Sequence, residues 1–194
     1  MHWNVLLKLF VTSSLKEVYI GPERMGPMES VSSVAAITGR GLKGDRYEAG
    51  TGSYSNSAGF RDVTLIEMEA LWGLLGRTGI DLHPSFTRRN FVTEGVSLNS
   101  LVGSIFSIGE VTLLGLRLCP PCAHLGKLLA MPEVLKGLAH SGGIYARIIN
   151  GGRLEVGDEL VSSMLCSVDD KLSCAKYKSY AEQSVSPKSD RAGG

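Results

Sequence analysis

Cys119-Pro120-Pro121-Cys122, with His124 two residues on, is the densest group of chemically capable side chains in the sequence. A thiolate attacks electrophiles and binds soft metals. The diproline removes two backbone donors and restricts the residue before each ring, so it should end a strand and hold Cys122 at the strand's mouth. A helix starting soon after would bring unpaired N–H groups and a positive dipole end toward that thiol, favouring its thiolate. The competing reading is that Cys122 only fills a core, since cysteine is among the most buried residue types. Structural zinc is not expected. The C-x-x-C lacks a second pair at matching spacing: Cys166 and Cys174 lie eight apart near a polar tail, and any partner of His124 is distant in sequence. A thioredoxin-like redox pair is disfavoured too, because two prolines between the cysteines suit no helix interior.

Two further stretches carry charge in unusual settings. Thr38-Gly39-Arg40-Gly41-Leu42-Lys43-Gly44-Asp45-Arg46-Tyr47 is too rich in glycine and charge for a core strand. Glycine there allows tight turns and close approach to a ligand, so Lys43 and Arg46 can meet an anion while Asp45 orients one of them. A solvated charged loop has the same composition. The spacing does not fit a P-loop. Arg88-Arg89-Asn90 directly precedes an apolar strand start, and strand alternation puts Arg88 and Asn90 on one face and Arg89 on the other. Arginine forks match phosphate or carboxylate bidentately, whereas a surface arginine pair would contribute little to stability.

The elements that must position these groups are mostly short. Strand patterns run over Val5–Leu15, continuing through Val18–Ile20, then Val31–Ile37, Arg61–Ile66, Val102–Ile108, Val111–Leu118, Ile144–Ile149 and Leu154–Leu160. Ala49–Gly59 is a long Gly/Ser loop, suited to a lid or rim. Glu67–Leu75 reads as a helix with Met68, Leu71, Trp72 and Leu75 toward the core. Leu125–Ala139 reads as a second helix that Pro132 can divide, stopped at Ser141-Gly142-Gly143. Asn150-Gly151-Gly152 is a hairpin-type turn. The count predicts a mainly β fold with some α: a closed or nearly closed β-barrel with two or three short flanking helices. One domain over residues 1–163 is followed by a polar tail over 164–194.

Composition narrows the function classes. With 43% hydrophobic residues the chain can build a core, and a formal net charge of +1 argues against a nucleic-acid partner. No apolar run has the length of a membrane span, and Met1–Val11 lacks the basic start and cleavage site of a secretory signal. A cytoplasmic location without membrane attachment is the default expectation.

Several segments, in order, resemble one family: Gly41-Leu42-Lys43-Gly44-Asp45-Arg46, Arg61-Asp62-Val63-Thr64-Leu65-Ile66, Arg88-Arg89-Asn90-Phe91-Val92, Leu101-Val102-Gly103 with Ile108-Gly109-Glu110, Cys119-Pro120-Pro121-Cys122, Gly142-Gly143-Ile144-Tyr145-Ala146-Arg147 and Val156-Gly157-Asp158. Together, over roughly Leu15 to Val161, they are similar to a MOSC domain, named for the C-terminal part of molybdenum cofactor sulfurase, and to its small stand-alone bacterial kind. The resemblance implies a barrel like the β-barrel of pyruvate kinase. It implies a cysteine that carries sulfur as a persulfide or ligates molybdenum in a pterin cofactor, and Cys122 matches it better than Cys119. It implies that Arg88 and Asn90, as an R-x-N pair, contact the cofactor's phosphate and pterin side. Arg89, Lys43, Asp45 and Arg46 are candidates for the same task. A pyridoxal phosphate association exists for the family at large, with no residue here attached to it.

Two enzymatic readings follow from the resemblance. One is a molybdenum-cofactor oxidoreductase that reduces N-hydroxylated small molecules. It needs a separate electron-transfer protein, because no iron–sulfur, flavin or haem signature is present. The other is a sulfurtransferase-type carrier, in which Cys122 takes sulfur from a donor protein as a persulfide. A third, non-enzymatic reading is an anion-binding module with both cysteines packed away.

Overall fold

The computed structural model of the chain describes residues 13–52, 62–121, 125–126 and 129–162. Eleven strands are described: β1 Ser14–Ile20, β2 Glu29–Val31, β3 Ser33–Ile37, β4 Gly41–Leu42, β5 Val63–Glu67, β6 Phe91–Glu94, β7 Ile105–Ile108, β8 Val111–Leu118, β9 Ile144–Asn150, β10 Gly152–Glu155 and β11 Leu160–Ser162. Two α-helices accompany them, α1 Met68–Thr78 and α2 Pro132–Gly137, with 3-10 turns at Pro84–Thr87 and Leu98–Leu101.

The strands form two sheets. Eight lie in the order β11-β7-β8-β9-β5-β6-β1-β2, and three in the order β10-β3-β4. The only parallel pair named among them is β5 with β6, joined through α1, as a parallel neighbour requires a crossover. The remaining ladders are antiparallel, including the β7–β8 hairpin that the Gly109-Glu110 turn predicts.

The expected closed β-barrel is not formed. The large sheet has two edges, β2 and β11. One isolated bridge, Ser14 with Glu159, brings β1 near β11, but no ladder extends from it. The reason lies at Asn150-Gly151-Gly152. This turn does not return the chain beside β9. It sends β10 to pair with β3 in the other sheet, Leu154 opposite Val34, while β11 pairs with β7. The segment expected as one closing strand is therefore divided between two sheets.

Alternation along the strands builds two apolar layers on opposite faces of the same ladder. Leu15, Val18, Leu65, Phe91, Leu113 and Ile144 enter the larger cluster. Tyr19, Ile66 and Val92, each one residue on, enter the second, where α1 contributes Ala70, Leu71 and Leu74 and α2 contributes Val134. The helix face differs from the expected stripe. Leu71 is buried, but Trp72 is 53% and Leu75 42% exposed. α1 ends at Gly79, whose left-handed φ of 72° lets its N–H reach the Leu75 carbonyl. No described helix is long and apolar enough to cross a membrane.

Candidate functional site

The segment that carries the cysteine motif leaves the large sheet at the end of β8 and is fixed by main-chain bonds. Cys119 is 1% exposed, and its N–H donates to the Gly143 carbonyl at 2.7 Å. Arg89 grips the same place from β6's approach. Its Nη2 donates to the Cys119 carbonyl at 2.6 Å, its Nε to the Gly142 carbonyl at 2.9 Å, and its Nη1 to the Thr87 carbonyl at 3.4 Å. The two glycines are needed because the backbones nearly touch. A Cβ on Gly142 would lie 2.6 Å from the Cys119 carbonyl oxygen, and one on Gly143 would lie 1.7 Å from that of Leu65. Pro121 thus starts from a braced position. Cys122 and His124 lie outside the described residues.

Arg88 points elsewhere. It is in the left-handed region, with φ 60°, and its Nη1 donates to the Gly26 carbonyl at 2.7 Å. Strand alternation does not govern these residues, because β6 begins only at Phe91. Arg88 lines a cavity of about 360 Å³ together with Met25, Gly26, Pro27, Met28, Ser85, Phe86 and Leu129. In the sequence the Met25–Met28 segment has only the composition of a Gly/Pro-rich connection. Two methionines in a Gly/Pro-rich turn were the available signal, since thioethers fill irregular apolar walls.

Asn90, Asp45 and Arg46 form a buried polar junction between the strands. Asn90 Oδ1 accepts from the Thr64 N–H at 3.1 Å and from its hydroxyl at 3.0 Å. Its Nδ2 donates to the Tyr19 carbonyl at 3.2 Å and to Asp45 at 3.4 Å. Asp45 accepts the Gly21 N–H at 2.8 Å and the Tyr47 N–H at 2.9 Å. Arg46 returns to the same loop, its Nη1 donating to the Gly21 carbonyl at 3.1 Å and to the Met28 sulfur at 3.5 Å. Asp45 and Arg46 are 2% and 6% exposed and sit 3.7 Å apart. These three side chains hold the framework, as buried polar groups must be paired. Lys43 is exposed at the edge of the turn, its N–H on the Ala35 carbonyl.

Among the described residues, no group of three or more His, Cys, Asp or Glu side chains could hold a metal ion. A single-thiolate site needs no such group. Two carboxyls, buried Asp62 and half-buried Glu67, titrate above their ordinary range. Burial raises Asp62, against the opposing pull of the Ile148 N–H and of Arg147. Burial also raises Glu67, against the Leu98 N–H and with help from the charge of Glu69. Burial, followed by the bond to Glu17, raises the Tyr19 phenol as well. Arg117 stacks on the Tyr145 ring at 4.2 Å where β8 and β9 end beside the cysteine segment.

The profile of the MOSC domain matches residues 58–161. No functionally curated protein matches the chain. Among solved structures, the YuaD protein of Bacillus subtilis superposes with a TM-score of 0.65 at 18% identity, covering 77% of this chain and 94% of that one. YiiM from Geobacillus stearothermophilus gives 0.58 at 16% identity, over 81% and 78%. YiiM from Escherichia coli gives 0.58 at 18%, over 80% and 71%. At these identities the likeness is one of fold.

Proposed function

The chain belongs to the MOSC domain family, and from that membership we propose that it is a molybdenum-cofactor protein that reduces N-hydroxylated small molecules, with Cys122 as the metal's thiolate ligand. The observation that carries the reading is the bracing of the motif. Arg89 and the Gly142-Gly143 pair fix the backbone at Cys119, where β8 has ended and the diproline begins. A pre-set ligand position is what a site needs to hold a reactive centre without reorganising.

The donor chemistry fits the metal: molybdenum takes a soft sulfur ligand, and one cysteine provides it. The fit to the cofactor's phosphate is narrower than the sequence suggests. Arg46, Arg89, Asn90 and Asp45 bond within the framework and Arg88 donates to the Gly26 carbonyl, so exposed Lys43 is, among the described residues, the candidate cation that no side-chain bond ties to the framework. When bound through Cys122, the cofactor would supply two-electron redox chemistry for cleaving the N–O bond of the substrate. The balanced conversion is R–NHOH plus two electrons and two protons to R–NH2 plus water. The electrons require a separate donor protein.

The framework role of Arg46 and Arg89 favours a second reading, because a persulfide needs no anion cradle. In it, Cys122 takes the outer sulfur of a donor's persulfide: donor–S–SH plus Cys122–SH gives donor–SH plus Cys122–S–SH. One preparation separates the two. Protein from a host that makes the cofactor should carry about one molybdenum per chain, lost in Cys122→Ala. A protein free of molybdenum and pterin, but gaining the mass of one sulfur at Cys122 with cysteine and a cysteine desulfurase, would establish the carrier instead. Sulfur or metal retained in Cys122→Ala would remove both.

A further inference from the structure

The apolar stripe of α1 is only partly used by the core. Met68, Leu71, Trp72 and Leu75 have the helical spacing of a buried face, yet all four line an open groove of about 320 Å³ beside the helix. Trp72 and Leu75 are 53% and 42% exposed, because the covered face is the one carrying Ala70, Leu71 and Leu74. The remaining lining comes from two other elements: Glu17 from β1, and Asp81 and His83 from the segment that follows the helix end at Gly79. The charge of this lining has one sign. Glu17 and Asp81 line the groove, and no Lys or Arg among the described residues does. Neither carboxylate forms a salt bridge within the described residues; Lys16, next to Glu17, pairs with Glu94 at 2.9 Å instead. Glu17 accepts the hydroxyl of buried Tyr19, so it is held in place by a group that brings no positive charge. His83 supplies none either. Its Nδ1 accepts the Ser85 N–H at 3.3 Å as the cap of the 3-10 turn, which an imidazolium could not do.

The geometry points to this groove as a binding site for a small organic cation: a protonated amine on a mainly apolar body. The body lies against Met68, Trp72 and Leu75, and the ammonium meets Asp81 and Glu17. Carboxylates and an indole face attract the same charge, and the aliphatic wall is left for the rest of the molecule. The volume is at the small end for ligand pockets and suits one ring with a short amine-bearing arm. Anions are disfavoured, since a carboxylate or phosphate would add like charge to two carboxylates that lack a cation. Among the described residues the groove shares no lining residue with the cavity at Arg88 and none with Cys119-Pro120-Pro121. The assignment therefore does not rest on any reaction at Cys122.

Calorimetric titration of the purified full chain at pH 7 tests it with three probes of similar shape. 2-Phenylethylamine is cationic, 2-phenylethanol is neutral and phenylacetate is anionic. The amine should bind at least about tenfold more tightly than the alcohol, the scale of a cation–π contact joined to a charge-assisted hydrogen bond. Phenylacetate should not bind. Asp81→Asn, at an exposed position, should remove most of the amine's advantage, and Trp72→Ala, also exposed, should weaken both amine and alcohol. Glu155→Gln removes the same charge from exposed β10 in the small sheet and should change neither. Equal affinities for amine and alcohol, an advantage that survives Asp81→Asn, an equal loss in Glu155→Gln, or binding indifferent to Trp72→Ala would overturn the assignment. None of the probes carries an N–O bond or needs metal or sulfur at Cys122. Failure here would leave the proposed reaction standing, and a bare Cys122 would leave the groove.

Discussion

Arg88, Arg89 and Asn90 are consecutive, yet each bonds a different part of the molecule. Arg88 holds Gly26 at the cavity, Arg89 holds Cys119 and Gly142, and Asn90 joins Thr64 to Tyr19. An asparagine with both ends of its amide occupied inside the fold is a joint, and an arginine with three nitrogens on carbonyls is a clamp. Acid groups show the same dependence on surroundings. Asp62 and Glu67 have folded pKa values raised above their ordinary 3.8 and 4.5, first of all by burial. Between the ordinary and raised values the folded chain holds more protons than the unfolded one, so these groups make stability fall as pH rises through that window. Glu67→Gln keeps an acceptor for the Leu98 N–H without the buried charge. It should raise the urea midpoint at pH 7 and leave it unchanged near pH 3, where wild-type Glu67 is protonated in both states. A lowered midpoint at pH 7 would mean the charge itself is needed there.

At the scale of elements, the junction of β8, β9 and β5 depends on Gly143. Its φ of 91° is left-handed, and a Cβ would lie 1.7 Å from the Leu65 carbonyl oxygen. Gly143→Ala must therefore push β9 away from β5 and loosen the base of the cysteine segment. The expected loss is about 2–4 kcal/mol, combining backbone strain with overpacking, and denaturant unfolding would measure it. A loss below about 0.5 kcal/mol, the range of an ordinary surface change, would show that the junction adjusts. The same elements show what could be read from sequence. β8 was legible to the residue, and β7–β8 followed from its two-residue turn, because alternation and turn chemistry are local. The partner of β10 was not legible. Arg153 lies opposite Ala35, far back in the chain, and alternation names a face but not a neighbour. α1 was found by its period, but the buried face turned by about one position. Trp72 is exposed, and Leu74 takes its place, where a Cβ on Gly137 would come within 2.3 Å of it. Which side of an amphipathic helix is covered depends on what arrives, here α2. Likewise, the motif residues were visible as a set, but the sequence could not separate those that brace the site from those that face a ligand.

For the whole molecule, the two sheets and two apolar layers raise the question of whether the protein unfolds as one body. The expected barrel would have answered it through a continuous ladder. The sheets as formed answer it through shared strands. β5 sends Leu65 into the inner cluster and Ile66 into the outer one, β6 sends Phe91 and Val92, and β1 sends Val18 and Tyr19. Neither layer can be lost without stripping one face from three central strands that the other layer needs. Leu74, fully buried on the inward face of α1, belongs to the outer cluster, so Leu74→Ala should weaken that layer first, by about 2–4 kcal/mol. If the strands couple the layers, the whole transition moves together. In a Trp3→Phe background, Trp72 emission reports the helix layer and far-ultraviolet circular dichroism reports the sheets, and the two urea curves of Leu74→Ala should coincide at one lowered midpoint. An emission transition that precedes the dichroism transition would show that α1 and α2 melt from a persisting sheet, and that the shared strands do not bind the layers into one cooperative unit.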